Sequence, residues 1–201
     1  IIQQGRISKF AMHTHRINLK FYLKDGRDIE PETWFRTFNT WIPTTTDEVL
    51  VDVADYSHVH AGPVILLVGH EANYCIDNTD EKMGLLYARK LPLDGSLSDR
   101  FHSVFAAALK ACRRLEQESE LEGKVKFRGD EAILVANDRL QAPNTEETLS
   151  ALRTDLDAVL KELYGGAEFA VDPVLDAGQR LTLRIKSTAS FDIASLLENL
   201  N

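Results

Sequence analysis

Three strand-like segments follow one another between residues 48 and 90, and the polar turns between them constrain the fold more than any other feature. The segments are 48–56, 63–77 and 85–90. The first alternates between valine and polar residues, and the second opens with the apolar run "PVILLV", which is typical of a central strand covered on both faces. Because strands joined by short turns pair antiparallel, the sequence predicts an antiparallel sheet.

A further strand and a helix precede this group. The stretch 16–24, "RINLKFYLK", alternates with period two, so we expect a half-buried strand with one apolar face, made of Ile17, Leu19, Phe21 and Leu23. Asn18, Lys20 and Tyr22 then belong to its solvated face. A short helix over 31–41 follows, because a proline at its first position is tolerated in the first helical turn.

The longest helix is predicted over 97–121, with Ser96 as its N-cap and Asp99 three residues later in a near capping box. The rest of the chain indicates two strands, a helix capped by Asn144, two more strands and a closing helix. The strand segments are 124–129, 131–137, 167–172 and 180–187. The predicted order is therefore βαβββα followed by ββαββα.

This order predicts an α+β fold whose antiparallel sheet carries helices packed mainly on one face. At 201 residues the chain fits a single compact domain over 12–201, or two tightly packed halves, 12–121 and 124–201. Residues 1–11 are interpreted as a leader foreign to the natural chain. The first residue is not methionine, and the segment from Met12 resembles a natural start.

Charge and cysteine content exclude several classes of function. A net charge of -8 opposes non-specific binding to nucleic acid or to an anionic membrane surface. The run "PVILLV" is too short to span a bilayer, and no signal peptide is visible. Cys75 and Cys112 are far apart in sequence and form no CxxC motif, which favours two buried thiols in a reducing compartment. We therefore expect a cytoplasmic protein.

Histidines mark the clearest candidate site. His58 and His60 point the same way on an extended segment, and His70 with Glu71 follows the apolar run. Imidazoles at this spacing are typical ligands of divalent transition metals. Against this, a hairpin between 49–56 and 64–76 would place His70 roughly 20 Å from the other two, which is too far for one ion. The alternative is that all three are ordinary polar residues.

A second candidate site lies near the start of the helix after residue 142. Asn144 precedes free helical amides, which attract anions, and Arg139 is close enough in sequence to fix a carboxylate or phosphate. An arginine in such a loop also pairs commonly with an acidic neighbour. The prediction is an anion site at Arg139 and Asn144, with a structural ion pair as the alternative.

Two functional hypotheses follow. The first is a non-catalytic structural, regulatory or binding protein that self-associates as a homodimer through a sheet edge or an apolar helix face. The second is a protein, enzymatic or not, that binds a small ligand or a metal through the region of His58, His60, His70 and Glu71. Side chains converging on a concave pocket would favour the second hypothesis.

Overall fold

The computed structural model describes residues 14–174, 176 and 178–201; the predicted leader, residues 1–11, lies outside this part of the chain. The described part contains eight strands and four helices. The strands are β1 (Ile17–Asp25), β2 (Leu50–Asp55), β3 (Pro63–Gly69), β4 (Ala72–Asp77), β5 (Gly84–Arg89), β6 (Lys126–Ala136), β7 (Phe169–Val174) and β8 (Leu181–Ser187). The helices are α1 (Pro31–Thr44), α2 (Leu97–Gln117), α3 (Glu146–Leu163) and α4 (Ile193–Asn199).

All eight strands form one antiparallel sheet in the order β2-β3-β4-β5-β1-β6-β8-β7. The predicted α+β class with an antiparallel sheet is thus confirmed. Strand β1 lies in the interior of this order and pairs with β5 on one side and β6 on the other. It therefore joins the strands of segment 12–121 to those of segment 124–201 in one continuous sheet.

The helices pack on a single face of the sheet, as predicted. The ring of Phe21 in β1 meets that of Phe105 in α2 at 6.4 Å between centroids, and Trp41 in α1 meets Tyr74 in β4 at 6.2 Å. These residues belong to one core cluster that includes side chains of all four helices. Burying one such aromatic ring contributes roughly 2–3 kcal/mol, so the contact between helices and sheet is a substantial source of stability.

The predicted single strand over 63–77 is wrong, because the chain reverses at His70 and Glu71 and forms the hairpin of β3 and β4. Gly69 permits the tight reversal: a Cβ at this position would lie 2.5 Å from the carbonyl oxygen of Ala72. Strand β3 is consequently next to the edge strand rather than central. Its residues alternate between buried and half-buried, so only one of its faces enters the core.

Segments 124–129 and 131–137, predicted as two strands, form the single strand β6. Two shifts of register between β1 and β6 accommodate the residues between the two predicted segments, so the strand continues through them. Gly129 lies within β6, and a Cβ there would come within 2.5 Å of the carbonyl oxygen of Phe191. The close approach of the loop before α4 therefore explains why glycine stands in the middle of a strand.

The expectation of a solvated face on β1 is also wrong. Asn18, Lys20 and Tyr22, which point away from the helices, are 5–7% exposed. Lys20 lies along the sheet and donates to Asp77, while the ammonium of Lys82 lies 5.4 Å from the centroid of the Tyr22 ring. Polar side chains that lie flat across neighbouring strands thus cover this part of the second face.

Helix α2 begins as its sequence predicts. The Ser96 hydroxyl accepts from the Asp99 amide, and the Asp99 carboxylate accepts from the Ser96 amide, which completes a capping box. Cys75 and Cys112 are buried free thiols, also as expected. No helix in the part of the chain that the structure describes is long and apolar enough to cross a membrane.

Candidate functional site

A cleft of about 550 Å³ opens where α1, α2 and α4 meet the ends of β4 and β5. This is the size range of small-ligand sites. Small side chains of α2 line one wall, and charged side chains line the rim. We call this site the tyrosine cleft; its principal residues are Trp41, Asp47, Glu48, Glu71, Tyr74, Tyr87, Arg89, Ala106, Ala107, Lys110 and Arg114.

Three aromatic rings form the base of the tyrosine cleft. Tyr74 and Tyr87 are register partners on β4 and β5, and their rings meet edge to face at 5.4 Å. Trp41 packs against Tyr74 and donates its indole N–H to Glu118 at 2.7 Å. The guanidinium of Arg114 lies 4.2 Å from the centroid of the Trp41 ring. Each ring is therefore fixed by contacts on more than one side.

A tyrosine and a glutamate form the most strongly perturbed pair in the cleft. The Tyr74 hydroxyl donates to Glu48 Oε1 at 2.6 Å. Burial raises the pKa of Tyr74 far above its ordinary value, and its hydrogen bond to the Glu48 carboxylate and the negative charge of that group add to the rise. The phenol therefore stays protonated and acts as a donor.

Glu48 shares this environment. Burial raises the pKa of the Glu48 carboxyl; the hydrogen bond from Tyr74 opposes the rise, and repulsion from Asp47 and Glu71 adds to it. The chain thus holds a half-buried carboxylate beside two other carboxylates at the mouth of a cleft. Perturbed acids in a concave pocket are typical of functional sites.

One of the positive charges in the cleft belongs to Arg89, which is anchored on two sides. Its Nη1 donates to Glu71 Oε2 at 2.8 Å, and its Nε donates to the Leu91 carbonyl at 2.9 Å. Burial raises the pKa of the neighbouring Tyr87 hydroxyl, and the hydrogen bond with Arg89 opposes that rise. Glu71, a predicted metal ligand, is therefore engaged in an ion pair at the rim of this cleft.

The three histidines do not come together. His58 and His60 are exposed in the connection between β2 and β3, whereas His70 is exposed in the turn after β3. These positions lie at opposite ends of a seven-residue strand, which is about 20 Å long. Among the described residues, no three side chains of His, Cys, Asp or Glu are grouped to hold a metal ion. The metal site stays a prediction that this geometry does not support.

Asn144 does not cap α3, contrary to expectation; Thr145 does, and its hydroxyl accepts from the Thr148 amide. The Asn144 Nδ2 instead donates to the carbonyls of Val174 and Asp176 at 2.8 and 2.9 Å. The asparagine therefore ties the start of α3 to the segment after β7. Arg139 is exposed in the loop before it, and the predicted anion site at these two residues remains untested.

The sequence analysis did not identify Tyr74 or its partners as a site. Glu48 lies 26 residues away in the loop before β2, and Tyr87 and Arg89 lie on the next strand. One signal was available: two tyrosines at equal distances from the turn between β4 and β5 become register partners once that hairpin is assumed. The side chains that α1 and α2 contribute to the cleft are brought there by helix packing, which no local sequence pattern indicates.

Comparison of the sequence with models of known protein families finds no match, and comparison with curated proteins finds no relative either.

Proposed function

We propose that this protein binds a small zwitterionic molecule in the tyrosine cleft and that its function is binding rather than catalysis. The hydrogen bond between Tyr74 and Glu48 carries the proposal. It keeps a half-buried carboxylate in place at the mouth of a cleft of suitable size, where a ligand ammonium group can replace lost hydration. The phenol is held in its neutral form and supplies no base for proton transfer.

The distribution of charge favours a ligand that carries both signs. The cleft contains three acidic residues and three basic ones, counting Asp47, Glu48, Glu71, Arg89, Lys110 and Arg114. Arg89 is paired with Glu71, and Arg114 with Glu118. Neither Asp47 nor Lys110 has an ion-pair partner among the described residues. A ligand with an ammonium group towards Asp47 and Glu48 and a carboxylate towards Lys110 would complete both.

The small wall residues set the shape of the ligand. Ala106 and Ala107 lie on the cleft side of α2 and are half-buried, so the wall can accept an apolar body without displacing a side chain. The ligand class that fits is an amine and a carboxylate on a compact apolar frame, as in free amino acids and dipeptides. Apolar contact supplies affinity, and the two charged ends supply orientation.

The test is a panel of free amino acids and dipeptides, screened by thermal shift and measured by titration calorimetry. We expect saturable binding that Glu48→Gln and Lys110→Met each weaken at least about tenfold, which corresponds to 1.4 kcal/mol. Lys161→Met is the matched control, because Lys161 is an exposed helical lysine on α3 that does not line the cleft. Absence of binding by the wild type, or binding unaffected by both cleft variants, would overturn the proposal.

A further inference from the structure

A second cleft opens beside the C-terminal half of α2, and no described residue lines both this cleft and the tyrosine cleft. The end of β1, the first half of β6 and the residues around the start of α4 form its other walls. Its volume is about 800 Å³, within the range of small-ligand sites. We call it the cationic cleft, because five basic side chains line it: Lys24, Arg27, Arg113, Lys126 and Arg128.

The acidic residues of the cationic cleft are engaged within the protein. Glu116 pairs with Lys126 at 3.5 Å, and Asp130 pairs with Arg128 at 2.8 Å. Asp192 caps α4, where its carboxylate accepts a backbone amide at 2.7 Å. Two of the five cations are therefore neutralised, and the third carboxylate is committed to the start of a helix.

The other three cations have no such partner. Among the described residues, Lys24, Arg27 and Arg113 take part in no ion pair. They belong to the end of β1, the turn after it and α2, so the tertiary structure brings them to one cleft. A neighbouring cavity, which Lys24 and Arg27 also border, contains Asp25 and Asp28, but neither aspartate lines the cationic cleft.

The charge of this cleft is opposite to that of the chain as a whole. Its lining has five basic and three acidic residues, whereas the chain has a net charge of -8. Like charges that converge on a concave surface repel one another and create a positive potential there, which a bound anion relieves. The negative charge elsewhere opposes a long polyanion such as a nucleic acid. The ligand that fits is therefore a small anion.

Phosphate matches the number and type of these cations better than carboxylate does. A phosphate monoester carries roughly −1.5 to −2 charges at neutral pH and three strong acceptor oxygens, whereas a carboxylate carries a single charge. The guanidinium groups of Arg27 and Arg113 present paired N–H donors whose geometry suits phosphate oxygens. Lys24 adds a compact third charge.

An aromatic ring in the same cleft offers a contact for the organic part of such a ligand. Phe191 lines the cleft and is half-buried, and its ring lies 5.4 Å from that of Tyr164 between centroids. Leu23 and Phe127, both buried, complete the apolar lining. The cationic cleft thus combines unpaired positive charge with an apolar surface, as sites for charged organic molecules do.

We propose that the cationic cleft binds a phosphorylated small molecule, at a site separate from the tyrosine cleft. Lys24, Arg27 and Arg113 hold the phosphate, and the organic part of the ligand lies against Phe191. The pairs of Glu116 with Lys126 and of Asp130 with Arg128 stay within the protein and keep the walls in place.

Titration calorimetry on the full chain at low ionic strength tests the proposal, with pyrophosphate, ADP and a sugar bisphosphate as probes. We expect saturable binding of at least one probe, which Arg27→Gln and Arg113→Gln each weaken at least about tenfold. Arg184→Gln is the matched control, because Arg184 is an exposed arginine on β8 that does not line the cleft. The probe that binds most tightly identifies the source of the phosphate.

Glu116→Gln gives a test that misfolding cannot imitate. The amide keeps an oxygen for the backbone amide of Phe127, but it removes a negative charge from the cleft and leaves Lys126 without its partner. The probe should therefore bind more tightly to this variant than to the wild type.

Three results would overturn the proposal: absence of binding by the wild type, equal weakening by Arg184→Gln, and weaker binding by Glu116→Gln. Citrate supplies the comparison with carboxylates. If citrate binds as tightly as the best phosphorylated probe, the cleft recognises negative charge in general and the assignment to phosphate is wrong.

Discussion

Lys20 and Asp77 form an ion pair with 2.5 Å between Nζ and Oδ1, although they lie 57 residues apart in sequence and on strands separated by β5. Their side chains are 6% and 5% exposed. Asp77 also accepts from the Thr79 hydroxyl at 2.9 Å, which satisfies its second oxygen. The pair sits on the sheet face turned away from the helices, and at this degree of burial a charge without a partner would be strongly unfavourable.

Asp77→Ala should therefore destabilise the protein by about 3–5 kcal/mol, because it leaves the Lys20 ammonium buried and unpaired. The double variant Lys20→Met/Asp77→Ala removes the stranded charge and should recover most of the loss. Urea denaturation monitored by tryptophan fluorescence measures both. A double variant no more stable than the single one would show that the ammonium finds water or another partner.

Gly69→Ala should destabilise the hairpin of β3 and β4. Its added Cβ would lie 2.5 Å from the Ala72 carbonyl oxygen, which is backbone and cannot rotate away. We expect a loss of about 1–3 kcal/mol in the free energy of unfolding, as for other overpacked sites. Gly178→Ala is the control, since its Cβ would meet only the Asp176 carboxylate, at 3.2 Å. Equal losses in the two variants would contradict this account.

Glu48→Gln should change how stability depends on pH. Burial raises the pKa of Glu48 above its ordinary value of 4.5, so the folded protein keeps this proton at pH values where the unfolded chain has released it. The stability that this carboxyl group contributes is fully present below the pKa that it has in the unfolded chain. It is lost as the pH rises through the raised pKa of the folded state. The amide cannot ionise, yet it retains an oxygen for the Tyr74 hydroxyl.

The melting temperature of Glu48→Gln should therefore increase relative to wild type as the pH rises from about 4 to about 7. Thermal melts at several pH values measure the difference. Glu147→Gln serves as the control, because hydrogen bonds at the start of α3 hold the pKa of this exposed glutamate below its ordinary value; it should show the opposite trend. A difference for Glu48→Gln that does not vary with pH would contradict the raised pKa.

The two thiols should react slowly in the folded protein. Burial raises the pKa of Cys75 to about 12 and that of Cys112 well above its ordinary value, so little thiolate is present near neutral pH. An aromatic disulfide reagent should label neither within minutes, and both after unfolding in guanidinium. Ser57→Cys introduces an exposed thiol that should react at once. Rapid labelling of native Cys75 or Cys112 would show local opening of the sheet or of α2.

Local patterns in the chain account for most of the secondary structure. The period-two alternation of residues 16–24 marks β1, and the serine and aspartate before α2 form the capping box that their spacing indicates. The predicted strand boundaries were wrong where backbone geometry, rather than the pattern of side chains, determines the structure. The reversal at Gly69 lies inside an apolar stretch whose composition resembles an unbroken strand.

Such patterns indicate neither the tyrosine cleft nor the burial of the sheet face turned away from the helices. Alternation states that Asn18, Lys20 and Tyr22 share one side of β1, but their burial depends on Asp77, Lys82 and the neighbouring strands. Likewise, Glu48 and Tyr74 meet only because the hairpins align the loop before β2 with β4.

Propensity, periodicity and capping act over a few residues, so the amino-acid order alone was enough to specify the class of fold and most of its helices and strands. Strand order, register and helix placement bring together groups tens of residues apart, and their energies depend on burial and distance that no local pattern contains. The tertiary structure therefore decided that the histidines stay apart, that Glu48 becomes half-buried and that Lys20 is buried beside Asp77.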